Sequence, residues 1–257
     1  MITVVAAVNN DATLAANLLR SPVLRACGVR LQLQRGHPSA ALAYRAAMGD
    51  CRHDIAVFAH QDAYLPPGWL DQLMRSVETI EKNDAQWAVL GVYGVAAGGA
   101  QTGCVWSSGL DSVFGCAFAN PVRVDSIDEV VIVLRRSSGV EFDAALPGYH
   151  LYATDLVQTA LSRGLGAYVI YAPVVHNSRP VTYLGPDYFN AYRYVARKWR
   201  HRLPIHNNVA QLVAPGLAYW RIRARHRWTE WRQSHLDRAA LDRRYDCIEL
   251  SRRLGFE

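Results

Sequence analysis

Between Ile2 and Val92, short runs of β-branched and aliphatic residues alternate with helix-patterned segments, and this alternation restricts the fold more than any other feature. Ile2 to Val8, Val29 to Leu33, Ile55 to Ala59 and Trp87 to Val92 read as strands. Between them, Asp11 caps a short helix and Pro38-Ser39 opens a small-residue helix through Met48. A third helix runs from Pro67 to about Lys82, with Leu70, Leu73, Val77 and Ile80 at helical spacing. Strands joined through helices of this length return by right-handed crossovers. The expected class is therefore α/β: a Rossmann-like, mostly parallel sheet flanked by helices.

The second half breaks this rhythm. Gly94 to Asn120 is rich in Gly, Ala, Ser and Cys and is expected to be one long loop-rich stretch, a kind of segment that is usually functional or mobile. Order returns with Val122 to Asp125 and Glu129 to Leu134 as strands, a helix from about Tyr152 to Arg163, a strand from Tyr168 to Tyr171, and a helix from Asp187 to Arg200. From Val209 the chain is expected to be mostly helical, broken at Pro215-Gly216. The pattern divides the chain into a catalytic domain, 1–178, and a basic helical C-terminal extension, 179–257.

Composition narrows the class further. A 51% hydrophobic content over 257 residues is that of a globular chain. No apolar run reaches the length of a membrane span; the longest ambiguous one, Val209 to Trp220, is interrupted by Pro215 and Gly216. The N-terminus enters a strand at once, without a basic n-region or cleavage site, so no signal peptide is expected. Cys27, Cys51, Cys104, Cys116 and Cys247 are odd in number and lack CxxC spacing, which reads as reduced thiols in a cytoplasmic protein. Net charge is +6 and uneven: 15 of the 28 Lys+Arg lie from Arg193 onward, against 6 of the 22 Asp+Glu. That tail asks for an anionic surface or partner, membrane headgroups or nucleic acid.

The strand exits hold the candidate chemistry. Ile55 to Ala59 ends abruptly in His60-Gln61-Asp62, at the carboxyl end of a buried strand, where open α/β sheets bind ligands. Asp62 offers a hard carboxylate oxygen suited to Mg²⁺ or Mn²⁺. His60, two residues earlier on an extended segment, points to the same side, and its imidazole suits Mn²⁺ better than Mg²⁺. A hydrogen-bonded strand-end histidine, and an Asp62 that caps the following helix, account for the same two residues. Asp155 lies near the start of an apolar-periodic helix, well placed to act as a general base; the helix dipole alone also favours an aspartate there. Val174-Val175-His176-Asn177-Ser178 puts a further histidine at the sheet edge after a buried strand. Trp69 and Trp87 read as core.

Several stretches, taken in order, carry a resemblance: Val4 to Asn10, Ser39 to Arg45, Phe58 to Trp69, Val89 to Gly94, Ile127-Asp128-Glu129, Phe142 to Leu156 and Ala172 to Ser178. Lys198-Trp199 and Leu203-Pro204-Ile205 are similar to the closing segment of the same pattern. On these residues the chain resembles a bacterial glycosyltransferase-like family allied to the family-2 glycosyltransferases, which have the GT-A fold. His60-x-Asp62 looks like a variant of the Asp-x-Asp element with which such enzymes hold a divalent cation and a diphosphate.

The resemblance implies a GT-A-like sheet and a nucleotide-diphosphate sugar as donor. It implies donor contacts at Asn9, Asn10 and Ser39, His60 and Asp62 at the diphosphate, and Mn²⁺ or Mg²⁺ as cofactor. Asp155 would be the base, with His150 in the same catalytic set, and His176 a third metal contact. Arg45 stands where an amide is expected and would offset diphosphate charge. An aspartate base opposite a leaving group implies a single displacement with inversion. The implied role is surface polysaccharide or glycolipid synthesis in the cytoplasm, on a carbohydrate or lipid-linked acceptor; peripheral contact to the inner membrane face is expected from the basic C-terminal tail.

Two other enzyme-site readings compete. A nucleotidyltransferase would show a Gly-rich basic phosphate loop near the N-terminus, which Ala7-Val8-Asn9-Asn10 is not. A degenerate, non-catalytic nucleotide-sugar-binding protein stays open because His60 replaces the usual first Asp. Nucleic-acid binding is suggested by the basic tail alone and is not expected. There Trp220, Trp228 and Trp231 among Arg221, Arg223, Arg225, Arg227 and Arg232 fit an interfacial helix at least as well, and a solvated basic face accounts for them too.

Overall fold

The strand β1 (Ile2–Val8) lies at the centre of one half of the sheet, parallel to β2 (Val29–Arg35) on one side and to β3 (Ile55–Ala59) on the other. Its side chains alternate between faces, and helices cover both. Val5 and Phe58 pack with one cluster, while Val4, Ala6, Val57 and Ala59 pack with the opposite one. The computed structural model describes residues 1–178, 184–233 and 245–256.

On the first face lie α2 (Ala40–Asp50), α4 (Tyr152–Ser162) and α5 (Pro186–Lys198), through Tyr44, Leu156, Tyr188 and Tyr192 among others. On the second lie α1 (Asp11–Ala16) and α3 (Trp69–Asn83). Helix α3 buries Trp69, Leu73, Val77 and Ile80, a stripe at helical spacing. Each such side chain contributes roughly 1.5–3 kcal/mol when withdrawn from water. Trp69 and Trp87 are core residues, as expected.

Within the described residues the sheet has 12 strands. Beyond β3 it continues through β10 (Val131–Arg135), β5 (Trp87–Gly91), β11 (Gly166–Val169), β9 (Val122–Ile127), β6 (Tyr93–Ala96), β7 (Gln101–Ser107), β12 (Val174–His176) and β4 (Ala63–Tyr64), with β8 (Ser112–Gly115) beside β7. The α/β class is as expected, but the sheet is mixed rather than mostly parallel. The β2-β1-β3, β5-β11 and β7-β12 pairs are parallel, whereas β10 runs antiparallel to both its neighbours, and β6 and β9 are likewise antiparallel to theirs.

Gly94 to Asn120 is not the loop its composition suggests. It supplies most of β6 and all of β7 and β8, and its small residues are what the local packing demands. A Cβ at Gly103 would overlap the Val92 carbonyl oxygen, and one at Gly115 the Gly103 carbonyl oxygen, both from backbone with positive φ.

The tail is mostly helical past the break at Pro215-Gly216, as expected. Ile205 and Leu212 form an isolated antiparallel bridge before α6 (Leu217–Gln233) begins. After residues outside the described set, α7 (Cys247–Arg253) returns to the body. Asp246 caps it through Ile248 and Glu249 N–H at 3.0 Å, and pairs with Arg20 at 2.7 Å. Cys247, Leu250 and Phe256 pack on Tyr64, Trp106 and Val175, covering the β4-β12-β7 end of the sheet. All five cysteines are free thiols. Among the described residues no helix is long and apolar enough to cross a membrane.

Candidate active site

Because β1 and β3 are parallel, their carboxyl ends share one edge, and Gln61 joins them there. Its Oε1 accepts from the backbone N–H of Asn9 (3.1 Å) and Asn10 (3.0 Å), and its Nε2 donates to Asn9 Oδ1 at 2.5 Å. Asn10 caps α1 by accepting from Thr13 N–H, so both asparagines are structural groups in this state. Sequence reasoning passed over Gln61; its position between two singled-out residues was the available signal.

The next residues carry the chemistry. His60 leaves β3 with its N–H held by the Val130 carbonyl (3.0 Å), and a turn closed by Ala63 N–H to His60 O brings Asp62 round. Asp62 does not cap α3: that helix begins at Trp69 behind Gly68, in a left-handed conformation at φ 76°. Instead the Asp62 carbonyl accepts from Asn177 N–H at 2.8 Å, locking the turn to the exit of β12. His176, the last residue of β12, thereby reaches Asp62.

His60, Asp62 and His176 converge, each able to offer one ligand atom within 4.8 Å of the others. His176 Nε2 stands 3.3 Å from Asp62 Oδ1, and His60 Nδ1 stands 3.9 Å from the same oxygen. Two donors bound to one small divalent ion at about 2.2 Å lie about 3–4 Å apart, so the three groups fit a single cation.

His60 Nε2 is 2.8 Å from the Tyr152 hydroxyl, which in turn lies 3.5 Å from the Glu129 carbonyl. With Nε2–H donating to Tyr152, the Nδ1 lone pair is left towards Asp62, the tautomer a ligand histidine needs. Burial holds the His60 imidazole below its ordinary range despite Asp62. For His176 burial acts in the same direction, but the Asp62 charge and hydrogen bond outweigh it and raise the imidazole. Burial opposes ionisation of Asp62 as well; the two histidines, His176 foremost, overcome it and hold the carboxyl well below the usual range.

Helix α4 starts from strained backbone. Leu151, its N-terminal flanking residue, sits at φ 62°, a conformation that a branched side chain adopts rarely. This places the N–H groups of Leu151 and Tyr152 on Glu129, a residue sequence reasoning did not single out. The Glu129 carboxyl is pushed up to about 8 by withdrawal from water, with the Asp128 charge adding to it, while those N–H groups act the other way.

Asp155 sits one turn into α4, 1% exposed, and is not part of the triad. Lys198 Nζ donates to it at 2.9 Å and Trp199 Nε1 at 2.7 Å. Lys198 also donates to Asp143 at 2.7 Å, where Tyr194 donates at 2.8 Å. Burial raises the Asp155 carboxyl in spite of both donors.

His150 is half-buried, its ring 5.5 Å from that of Tyr188, and burial lowers its imidazole. The Tyr188 hydroxyl is buried with no hydrogen-bond partner among the described residues. Ser39 caps α2 through Leu42 N–H at 3.3 Å and bridges to Gly148, so it sits against the loop that leads into α4. Arg45 is exposed on α2 and paired with Glu141 at 3.2 Å. A cavity of about 560 Å³ is lined by Ala145, Tyr194, Arg193, Arg197 and Tyr219 among others, and Tyr194 joins it to the Asp143–Lys198–Asp155 cluster.

No protein-family model matches the chain. It is 28% identical over 167 residues to "ATP synthase subunits region ORF 6" of Fuscovulum blasticum, covering 60% of this chain and 63% of that relative. Among solved structures it is similar to the mannosyltransferase PcManGT from Pyrobaculum calidifontis in complex with GDP-Man and Mn²⁺ (11% identity, TM-score 0.48, 100% of this chain and 80% of that one). It is also similar to GalNAc-T7 with UDP, GalNAc and Mn²⁺ (11%, 0.46, 91% and 57%) and to S. aureus TarS 1-349 (10%, 0.45, 77% and 64%).

Proposed function

We propose that the chain is a glycosyltransferase that moves a sugar from a nucleotide-diphosphate donor to a hydroxyl acceptor by a single inverting displacement. One observation carries the reading: His60, Asp62 and His176 converge on a single cation-sized site where β3 and β12 end. A mixed set of two imidazoles and a carboxylate suits Mn²⁺ better than Mg²⁺, and a bound divalent ion would supply charge neutralisation of the departing diphosphate. A cation bound there would take the place of the proton shared in the His176–Asp62 contact.

This chain's own residues divide the remaining work. Asn9, Asn10 and Ser39, held at the sheet edge and at the start of α2, are proposed donor contacts. Asp155 is the proposed base, its raised carboxyl suited to taking a proton from an acceptor hydroxyl. Lys198 and Trp199 orient it, and the adjoining cavity beside Tyr194 is the proposed acceptor approach. His150, whose ring packs on that of Tyr188, belongs to the same region. Residues 1–178 form the proposed nucleotide-sugar-binding part and 179–257 the extension. Surface polysaccharide or glycolipid synthesis in the cytoplasm is the role that fits this chemistry.

A second reading, a nucleotide-sugar-binding protein without turnover, is favoured by the hydrogen bonds that Lys198 and Trp199 give to the two Asp155 oxygens. Turnover of Asp155→Asn separates the two. With a donor found by screening nucleotide-diphosphate sugars, release of nucleoside diphosphate is expected to fall by a factor on the order of 10²–10⁴, with donor affinity nearly unchanged. Equal turnover in the variant removes Asp155 from the mechanism, a product that retains the donor's anomeric configuration contradicts the single displacement, and binding without turnover in the unaltered chain supports the second reading.

A further inference from the structure

Helix α6 has two apolar stripes, and the inner one packs on the body. The inner stripe is Tyr219, Ile222 and His226, which pack on the α5 aromatics: Tyr219 lies 5.3 Å from Tyr192 and 6.3 Å from Phe189, and His226 6.0 Å from Phe189. The outer stripe is Leu217, Trp220, Ala224, Trp228 and Trp231, separated by three, four, four and three residues and so aligned along one face. Leu217 is 69% exposed, Trp220 58%, Trp228 56% and Trp231 68%. Single exposed apolar residues are ordinary; a continuous row of them is a contact surface.

Arginines border this row on both sides. Arg221, Arg225 and Arg232 follow one edge and Arg223 and Arg227 the other, while Glu230 is the helix's one acidic residue in sequence. Arg223 and Arg232 stack over Trp220 (5.5 Å) and Trp228 (4.7 Å), which keeps the rings outward.

We infer that the outer face of α6 docks on an anionic lipid surface, with the helix lying in the plane of the headgroups. The row from Trp220 to Trp231 spans about 16 Å along the axis, too short to cross a bilayer but enough to lie in its interface. Tryptophan rings settle at the headgroup level, and flanking guanidinium groups meet lipid phosphates on either side. Each arginine close to an anionic surface raises affinity roughly fivefold, and the attraction fades as salt shortens the range of the charges. Inner and outer stripes together let the helix hold the body and the membrane at once.

The test is cosedimentation of the full chain with vesicles of phosphatidylcholine alone and with about 30% phosphatidylglycerol. Binding to the anionic vesicles only is expected, weakening at least tenfold between about 0.1 and 0.5 M salt. Trp220→Ser/Trp228→Ser should lose about tenfold or more in binding while its thermal midpoint stays that of the unaltered chain, and Arg221→Glu/Arg225→Glu should lose binding without touching an aromatic. Equal binding of the unaltered chain and both variants overturns the inference. So does no binding to anionic vesicles, whether the face instead joins two copies of the chain or binds duplex DNA more tightly than lipid.

Discussion

Glu129 is the residue whose charge the fold handles least comfortably. Its carboxyl is pushed up to about 8 from an ordinary 4.5, so the folded chain holds a proton that the unfolded chain has released. A raised acid contributes stability that is complete below about 4.5 and is lost as pH rises towards about 8. Glu129→Gln, which resembles the protonated form, is expected to flatten that slope. The unaltered chain should lose about 4 kcal/mol between these limits through this group, and the variant almost none. Urea unfolding across pH 5 to 8 checks it; parallel slopes in both proteins would show that Glu129 is not the source. At this scale the sequence was legible where a side chain directly follows a buried apolar run. His60 and His176 do, Asp62 lies two residues beyond His60, and all three meet. Glu129 and Tyr152 were not legible, because their parts are set by backbone N–H groups and hydroxyls brought close by the turn at Leu151.

Strands and helices were read well wherever burial imposes a period, and poorly where packing demands the absence of side chains. The stretch from Gly94 to Asn120 shows the second case. Its Gly and Ser content signals a loop, yet β6, β7 and β8 approach so closely that larger residues would not fit. Gly103 lies at φ 126° and a Cβ there would meet the Val92 carbonyl oxygen and the Tyr93 backbone. Gly103→Ala is therefore expected to destabilise by about 2–3 kcal/mol or more, whereas Gly139→Ala, also at positive φ (67°) but with nothing within 4 Å, should cost about 1 kcal/mol. Thermal midpoints of the two variants check this; similar losses would mean that conformation alone, and not strand contact, governs both positions. The mixed direction of the sheet was hidden for a related reason. β10 is apolar from Val131 to Leu134, and an apolar run does not record which way it enters a sheet.

Across the whole molecule, the division near residue 178 marks a change of sequence pattern more than a seam in the packing. One apolar cluster runs from Val5 through Trp199 to Tyr219, and α7 closes the far end of the sheet on Tyr64 and Val175. Asn177, next to the triad, donates to Asn17 Oδ1 (2.9 Å) and to the Tyr245 carbonyl (2.8 Å), so the last part of the chain supports the site from behind. The basic charge of the tail was plain in the sequence; its return to the catalytic end was not, because the returning segment is only seven residues long and weakly periodic. The central claim, that His60, Asp62 and His176 hold a cation for a nucleotide-diphosphate sugar, is tested most directly by calorimetric titration of Mn²⁺ into the unaltered chain and into Asp62→Ala, with and without nucleoside diphosphate. The account predicts one Mn²⁺ site that tightens with the diphosphate, and a loss of at least about tenfold in Asp62→Ala with the metal-free thermal midpoint nearly kept. Equal Mn²⁺ affinity in the two proteins, or no Mn²⁺ binding by the unaltered chain, would contradict it.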